Sequence, residues 1–207
     1  LGAKINQTIF NSGASEGIAS AFHSVLHPYI FKKEEMTKRT LVISGIEHSA
    51  VRNNAEYYSK MLGLNIITIK TNTNGVVDFL DFEKVIKENA DDIILVSIMA
   101  ANNETGVIQP FQEIGKVCET HSIPYLCDTT QYIGKTNFNF KESHIDFAVT
   151  SGHKFGAPTG CGIILVKDPK SFKPFIIGGG QEAGLRGGTQ NYISNECMAG
   201  ALTSLGE

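Results

Sequence analysis

Lys154 stands in the stretch SGHKFGAPTGCG (151–162), after a histidine and before a run of small, turn-forming residues. Three roles are open to a lysine so placed: binding a phosphate, forming an imine with a carbonyl, or none beyond that of a loop lysine. A lysine amine turns nucleophilic toward carbonyls when its surroundings lower its pKa. Other residue types extend the chemistry. Asp128 closes the apolar run PYLCD (124–128). A carboxylate there usually caps a neighbouring loop, and its chemical reading is a fixed, sheltered anion for a protonated ring nitrogen. His48 alone reads as a loop histidine, but beside a planar cofactor an imidazole can stack and shuttle protons. NSGASEG (11–17) is a glycine turn running into a helix, and free N–H groups at a helix start suit an anion. Taken alone, a plain capped helix explains that segment better. It is neither a Walker A loop nor a G-x-G-x-x-G turn.

Whether these residues meet depends on the elements that carry them. Helical periodicity covers 14–31, opened by Ser12 or Ser15 as a cap, then 49–62 and 81–90; Pro110 starts a further helix at its tolerated first position, running to about His121. Apolar or β-branched runs predict strands at 40–44, 65–70, 93–99, 124–128, 146–151 and 161–167, with a turn at 71–75. Strands separated by helices imply an α/β fold, a mostly parallel sheet with helices on both faces. Ligands of such sheets bind at the carboxyl ends of the strands. The polar residues directly after strands are Glu47 and His48, then Asn102 to Glu104, Asp128 to Gln131, and Ser151 to Lys154. Topology alone therefore gathers them into one crevice.

Composition narrows the partners. The 207 residues suit one large domain or a domain and a half, with 42% hydrophobic and 19% charged residues, enough for a sizeable core. Eighteen basic and 21 acidic residues give a net charge of −3, so no basic excess attracts nucleic acid. The apolar run from Ile93 to Ala101 is too short to span a membrane. Cys118, Cys127, Cys161 and Cys197 form no C-x-x-C pair, which points to reduced thiols in a cytoplasmic protein rather than to a zinc site or a disulfide framework. The chain opens on Leu1 without a methionine, as expected of a processed or excised piece.

A cofactor aldehyde bearing a phosphate, a ring nitrogen and a ring hydroxyl needs a lysine, a helix start, an acid and a hydrogen-bonding side chain such as Gln131. All four belong to the expected crevice, and the cofactor they fit is pyridoxal 5′-phosphate (PLP). The blocks SGASEG (12–17), IEHSAV (46–51), VSIMAANNETGVIQP (96–110), DTTQYIGK (128–135), SGHKFGAPTGCG and GGGQEAGLRGGT (178–189) resemble, in order and spacing, the large domain of the cysteine desulfurases, within the class V aminotransferase group of PLP enzymes.

The resemblance implies an aspartate aminotransferase-like large domain and a role for each matching residue. Lys154 carries the cofactor as an imine, Asp128 pairs with the ring nitrogen, and Gln131 bonds the ring oxygen. His48 stacks on the ring and assists proton transfer. Ala14 and Ser15 hold the phosphate at a helix start, with Ser151 and His153 on its other side. Asn103 lies near the substrate and the ring oxygen, and Thr189 reaches the phosphate of a neighbouring subunit in a homodimer. The implied reaction converts L-cysteine to L-alanine and an enzyme-bound persulfide, which supplies an iron–sulfur scaffold or another sulfur acceptor. Ser15, Thr129, Thr159 and the Ala100-Ala101 pair depart from the usual residues without removing a cofactor contact. Family members continue into a small domain that carries the nucleophilic cysteine, and residues 1–207 are expected to be an incomplete large domain lacking it. Two alternatives stay open: another class V enzyme, such as an aminotransferase or a selenocysteine lyase, or a cofactor-binding and dimerising piece without turnover.

Overall fold

Apolar alternation along the strands sorts the core onto two faces of one sheet. A computed structural model describes residues 1–31 and 36–205. Its strands are β1 (Thr8–Asn11), β2 (Thr40–Ser44), β3 (Asn65–Ile69), β4 (Ile93–Ser97), β5 (Tyr125–Asp128), β6 (Phe147–Ser151) and β7 (Gly162–Val166). Its helices are α1 (Ala14–Phe31), α2 (Ser49–Leu62), α3 (Phe79–Asn89), α4 (Phe111–Thr120) and α5 (Tyr192–Leu205). The seven strands lie in the order β1-β7-β6-β5-β4-β2-β3. Every pair from β3 to β6 is parallel, and β7 runs antiparallel to both β6 and β1.

Leu41, Ile43, Leu126, Val149 and Ile164 point to one face and pack with Ile18, Phe22 and Leu26 of α1 and with Val51 and Ala55 of α2. Their strand neighbours Val42, Tyr125, Cys127, Ala148 and Ile163 point to the other, against Phe82 and Ile86 of α3, Ile114 of α4 and Met198 of α5. The strict period of two makes both faces apolar at once, which is why a parallel sheet of this kind needs helices on each side. Among the described residues no helix is long and apolar enough to cross a membrane.

Most expected elements fall where the periodicity puts them, with instructive differences at the ends. α3 starts at Phe79, two residues early, because the Asp78 carboxylate accepts from the N–H groups of Leu80 and Asp81, each at 3.2 Å. Pro110 is the residue before α4 rather than its first turn. α1 takes neither Ser12 nor Ser15 as a side-chain cap; the N–H of Ala14 donates instead to Ser151 Oγ at 2.7 Å, across the sheet from β6. The segment 93–99 is strand only to Ser97, yet Ile98 and Ala100 still donate to the carbonyls of Leu126 and Asp128, at 3.3 and 2.9 Å. The chain beyond β4 thus stays fastened beside β5. β1 and α5 were not expected from the sequence pattern.

The antiparallel end positions the first helix. β1 pairs with β7 through Asn11 opposite Gly162, and the turn at Gly13 (φ 143°) then feeds α1 directly over Ser151. Gly162 is packed so closely that a Cβ there would lie 2.5 Å from the Thr150 carbonyl oxygen and 2.6 Å from Gly13 Cα. Gly162→Ala is therefore expected to destabilise the chain by about 1–3 kcal/mol, since backbone on both sides has to move. Urea unfolding checks the value; a midpoint equal to that of the parent would show that the turn has room to yield.

Candidate functional site

Four strand ends and one helix start converge on a cavity of about 210 Å³. Its wall includes Ala14 and Ser15 from α1, His48 from the β2–α2 loop, Asn103 beyond β4, Asp128 and Gln131 from the end of β5, and Ser151, His153 and Lys154 after β6. Nine of the ten residues singled out from the sequence thus share one cavity. The tenth, Thr189, lies elsewhere, on a smaller depression of about 160 Å³ with Ser12, Glu182 and Arg186. The loop that carries it is tied to the first turn of α1 by the Arg186 guanidinium, whose two nitrogens reach the Glu16 carboxylate at 2.8 and 3.1 Å. A larger groove of about 470 Å³ opens at the amino ends of β5 and β6. Its charges already satisfy one another, Lys167 with Glu119 at 2.7 Å and Glu119 with His144 at 2.7 Å, so size does not make it the reactive site.

Asp128 is 7% exposed and sits where β5 meets the cavity. Burial raises its pKa, opposed by hydrogen bonding from Thr130 and by the positive fields of His48 and Lys154. The Thr130 N–H donates to Oδ1 at 3.0 Å. Among the described residues Asp128 forms no ion pair, although a buried carboxylate is costly without one. Such a group calls for a cation delivered by a ligand. His48 precedes α2 as its cap: Nδ1 accepts from the Ala50 N–H at 3.1 Å, so the neutral ring carries its proton on Nε2. At the opposite wall Ser151 Oγ accepts from Ala14 N, which leaves its own hydrogen to donate and places a hydroxyl beside a helix start. Cys127 packs into the core on the far side of β5, as strand alternation requires, and none of the four cysteines lines the cavity.

Sequence reasoning missed Ile18 and Met99 in the wall, and gave no role to Thr130, which it placed in the crevice, or to Ala101; all four line the cavity, and Thr130 Oγ1 is a buried hydroxyl without a partner. The position of Thr130, two residues past an acid that ends a buried strand, was the available signal. Glu47 carried no assigned role, yet it is only 2% exposed. Its Oε1 accepts from the Met99 N–H at 2.9 Å and from the Ser44 hydroxyl, while Oε2 is buried without a partner. Burial drives its pKa from 4.5 up to about 8; the bonds from Ser44 and Met99 oppose the rise and the nearby Asp128 charge adds to it.

The donor set fits PLP: an amine in Lys154, a buried carboxyl group in Asp128 without an ion pair among the described residues, and a helix start with hydroxyls suited to a phosphate. Sheet order and site position define an α/β protein with the fold of the PLP-dependent transferase large domain. The model of the aminotransferase class-V family matches residues 1–204, and the chain belongs to that family. It is similar to the cysteine desulfurase IscS of Rickettsia typhi, 38% identical over 191 residues that cover 91% of this chain and 44% of that protein. It is also similar to the mitosomal cysteine desulfurase of Trachipleistophora hominis, 34% identical over 91% of this chain and 42% of that one. Among solved structures, a NifS-like protein superposes with a TM-score of 0.86 at 36% identity, covering 97% of this chain and 53% of that one. SspA in complex with cysteine gives 0.83 at 32%, covering 96% and 55%. The chain spans less than half the length of these two curated relatives.

The electrostatics of Glu47 set a pH dependence. An acid whose pKa is raised in the folded state contributes stability that is full below its unfolded pKa, near 4.5, and is lost as pH climbs to about 8. Glu47→Gln removes that loss. The stability of the variant relative to the parent is expected to rise across this window, by at most about 1.4 kcal/mol per pH unit. Urea titrations at pH 5, 6, 7 and 8 (about one unit apart, to follow the linkage slope) check it, and a difference independent of pH contradicts it.

Proposed function

We propose that this chain is the cofactor-holding core of a cysteine desulfurase that uses PLP. The observation that carries the reading is the unpaired, buried carboxylate of Asp128 facing the same cavity as Lys154. Homology supplies the substrate class: the relatives named above are cysteine desulfurases, and one similar structure contains cysteine.

PLP, when bound, supplies a protonated ring that accepts electrons from the substrate's α-carbon. The chain's own residues do the rest. Asp128 holds the proton on the ring nitrogen and compensates its charge. Gln131 and Asn103 hydrogen-bond the ring oxygen, and Asn103 also faces the substrate. His48 covers one face of the ring, with Nε2–H available for proton transfer. Ala14 and Ser15 at the start of α1, with Ser151 and His153, hold the phosphate and fix the ring against rotation. The amine of Lys154 would hold the cofactor and is placed to move the proton at the substrate α-carbon. A thiolate would attack the substrate sulfur: an S–S bond forms, the Cβ–S bond breaks with its electron pair kept on carbon, the β-carbon takes up a proton and the α-carbon regains its own, giving alanine.

No cysteine of the 207 residues faces the cavity, so the attacking thiol in this reading comes from outside them. This same observation favours a second reading for the chain by itself, namely cofactor binding without turnover. Thr189, outside its own cavity and exposed, is assigned to the phosphate of a second copy, making the working unit a homodimer. The persulfide is assigned to an iron–sulfur scaffold or another sulfur acceptor. The four free cysteines are consistent with a reducing compartment, and we assign the cytoplasm.

Borohydride reduction of the purified chain incubated with PLP, followed by peptide mass spectrometry, tests the site. The expected result is a pyridoxyl adduct on the peptide containing Lys154, absent in Lys154→Ala. Scattered labelling of surface lysines would refute it. Asp128→Asn is expected to weaken PLP binding by at least about thirtyfold, the cost of losing one partner of a buried charge pair; a dissociation constant equal to the parent's overturns the Asp128 assignment. Cysteine-dependent alanine release by the chain alone is expected to stay at background.

A further inference from the structure

Glu47 is a buried carboxyl group beneath the site that no part of the proposed reaction uses. It occupies the junction of three elements. Its backbone precedes His48, its Oε1 takes the Met99 N–H at 2.9 Å beyond β4, and the Ser44 hydroxyl at the end of β2 reaches the same oxygen. A second tie runs parallel to it: the Asn102 side-chain amide donates to the Ile46 carbonyl at 3.0 Å. Together they clamp the β2–α2 loop, with His48 on it, against the segment that brings Met99, Ala101 and Asn103 to the cavity.

The charge state of this clamp matters because of its neighbours. The groups whose fields it shares are Asp128, Cys127 and Tyr125 on β5 and Arg52 on α2. Lys154 and His48 act on Asp128, and the pairing in the cavity rests on that one carboxylate. An ionised Glu47 would place a second negative charge beside it, on a carboxylate whose Oε2 has no donor.

We propose that Glu47 is a positioning residue which, as a neutral acid, fixes the His48 loop to the Met99 segment and leaves Asp128 as the only carboxylate acting on the cavity among the described residues. The inference rests on the PLP reading for its functional consequence, but the clamp and its protonation belong to the unloaded chain. When Glu47 ionises, repulsion with Asp128 displaces the His48 loop and PLP binding weakens.

The test uses the intact chain, Glu47→Gln as the neutral isostere and Glu47→Ala as the truncation. In the unloaded parent at pH 7, infrared difference spectroscopy against Glu47→Gln is expected to show a protonated carboxyl band that fades as pH passes about 8. The His48 ring resonances are expected to shift in Glu47→Ala and to stay in place in Glu47→Gln. With PLP as the probe at pH 7, Glu47→Gln is expected to bind within about threefold of the parent, and Glu47→Ala about tenfold or more weaker, because the Met99 N–H is left buried and unpaired. Above pH 8 the parent is expected to lose affinity relative to Glu47→Gln.

An ionised Glu47 at pH 7, a Glu47→Gln chain that binds as poorly as Glu47→Ala, a Glu47→Ala chain that binds like the parent, or a parent-to-Gln affinity ratio constant with pH would each overturn the proposal. If Glu47→Ala does not fold, Glu47→Asp, one methylene too short to reach Met99, replaces it with the same expected loss. Failure of the parent itself to bind PLP at Lys154 would strike the cofactor reading instead, and the infrared and His48 measurements would still decide the clamp.

Discussion

Asp128 is the constraint around which the site is built. A carboxylate at the end of a central strand, flanked by β4 and β6, cannot turn to bulk water, and among the described residues it has the Thr130 N–H and no salt bridge. Leaving such a group in place destabilises the empty fold. The arrangement is sensible only if a cation arrives to complete it, and the positive fields of Lys154 and His48 already lean toward the same point. The remaining features match the carrier proposed above. The cavity wall combines small residues such as Ala14, Ser15 and Ala101 with the longer His48, Gln131 and His153, a helix start lies at one end, and the Lys154 amine belongs to the same wall.

Holding the carrier in register is the task of the sheet. Four parallel pairs deliver loops to one edge, but α1 reaches that edge only because the sheet changes direction at β7. β1, antiparallel to β7, places Asn11 opposite Gly162, and the chain turns at Gly13 within reach of Ser151. The bond from Ala14 N to Ser151 Oγ then joins the first helix to β6. An anion-binding helix start and an acid-bearing strand end, more than a hundred residues apart in sequence, are thereby locked to the same frame.

The parallel part of this frame was legible because its inner strands β2, β4, β5 and β6 are buried on both faces and read as largely apolar runs, such as TLVIS or IILVS, while the edge strand β3 shows in its β-branched NIITI. That nine of the residues singled out share one cavity follows from the rule that ligands sit at the carboxyl ends of strands, together with the family resemblance. The omissions have physical reasons. β1 is four residues, TIFN, at the sheet edge with alternating burial, too short for a periodic signal. α5 buries Met198 and leaves Tyr192, Ile193 and Leu205 exposed, so its apolar residues do not trace one stripe. The cap of α1 escaped notice because it comes from Ser151, and no local pattern reports a partner so distant. Thr189 lies outside the cavity of its own chain, and what it faces is a matter of assembly rather than of local sequence.

Glu47 and Asp128 show how one fold assigns different states to two carboxyl groups close enough to feel each other. Both are nearly inaccessible, and burial pushes both upward in pKa. Asp128 faces a cavity where His48 and Lys154 supply positive field. Glu47 has the bonds from Ser44 and Met99 and the field of Arg52 to oppose its burial and the field of Asp128, and one of its oxygens has no donor. Burial therefore works against the ionised form at both, and the positive fields of the cavity offset it only at Asp128, while Glu47 is pushed up to about 8. Reversing the two would put the anion behind the cavity wall, away from the amine and the imidazole, where it could compensate nothing. The position of the charge, more than its presence, makes the strand end a binding site, and the short reach from Glu47 to Met99 keeps that position fixed.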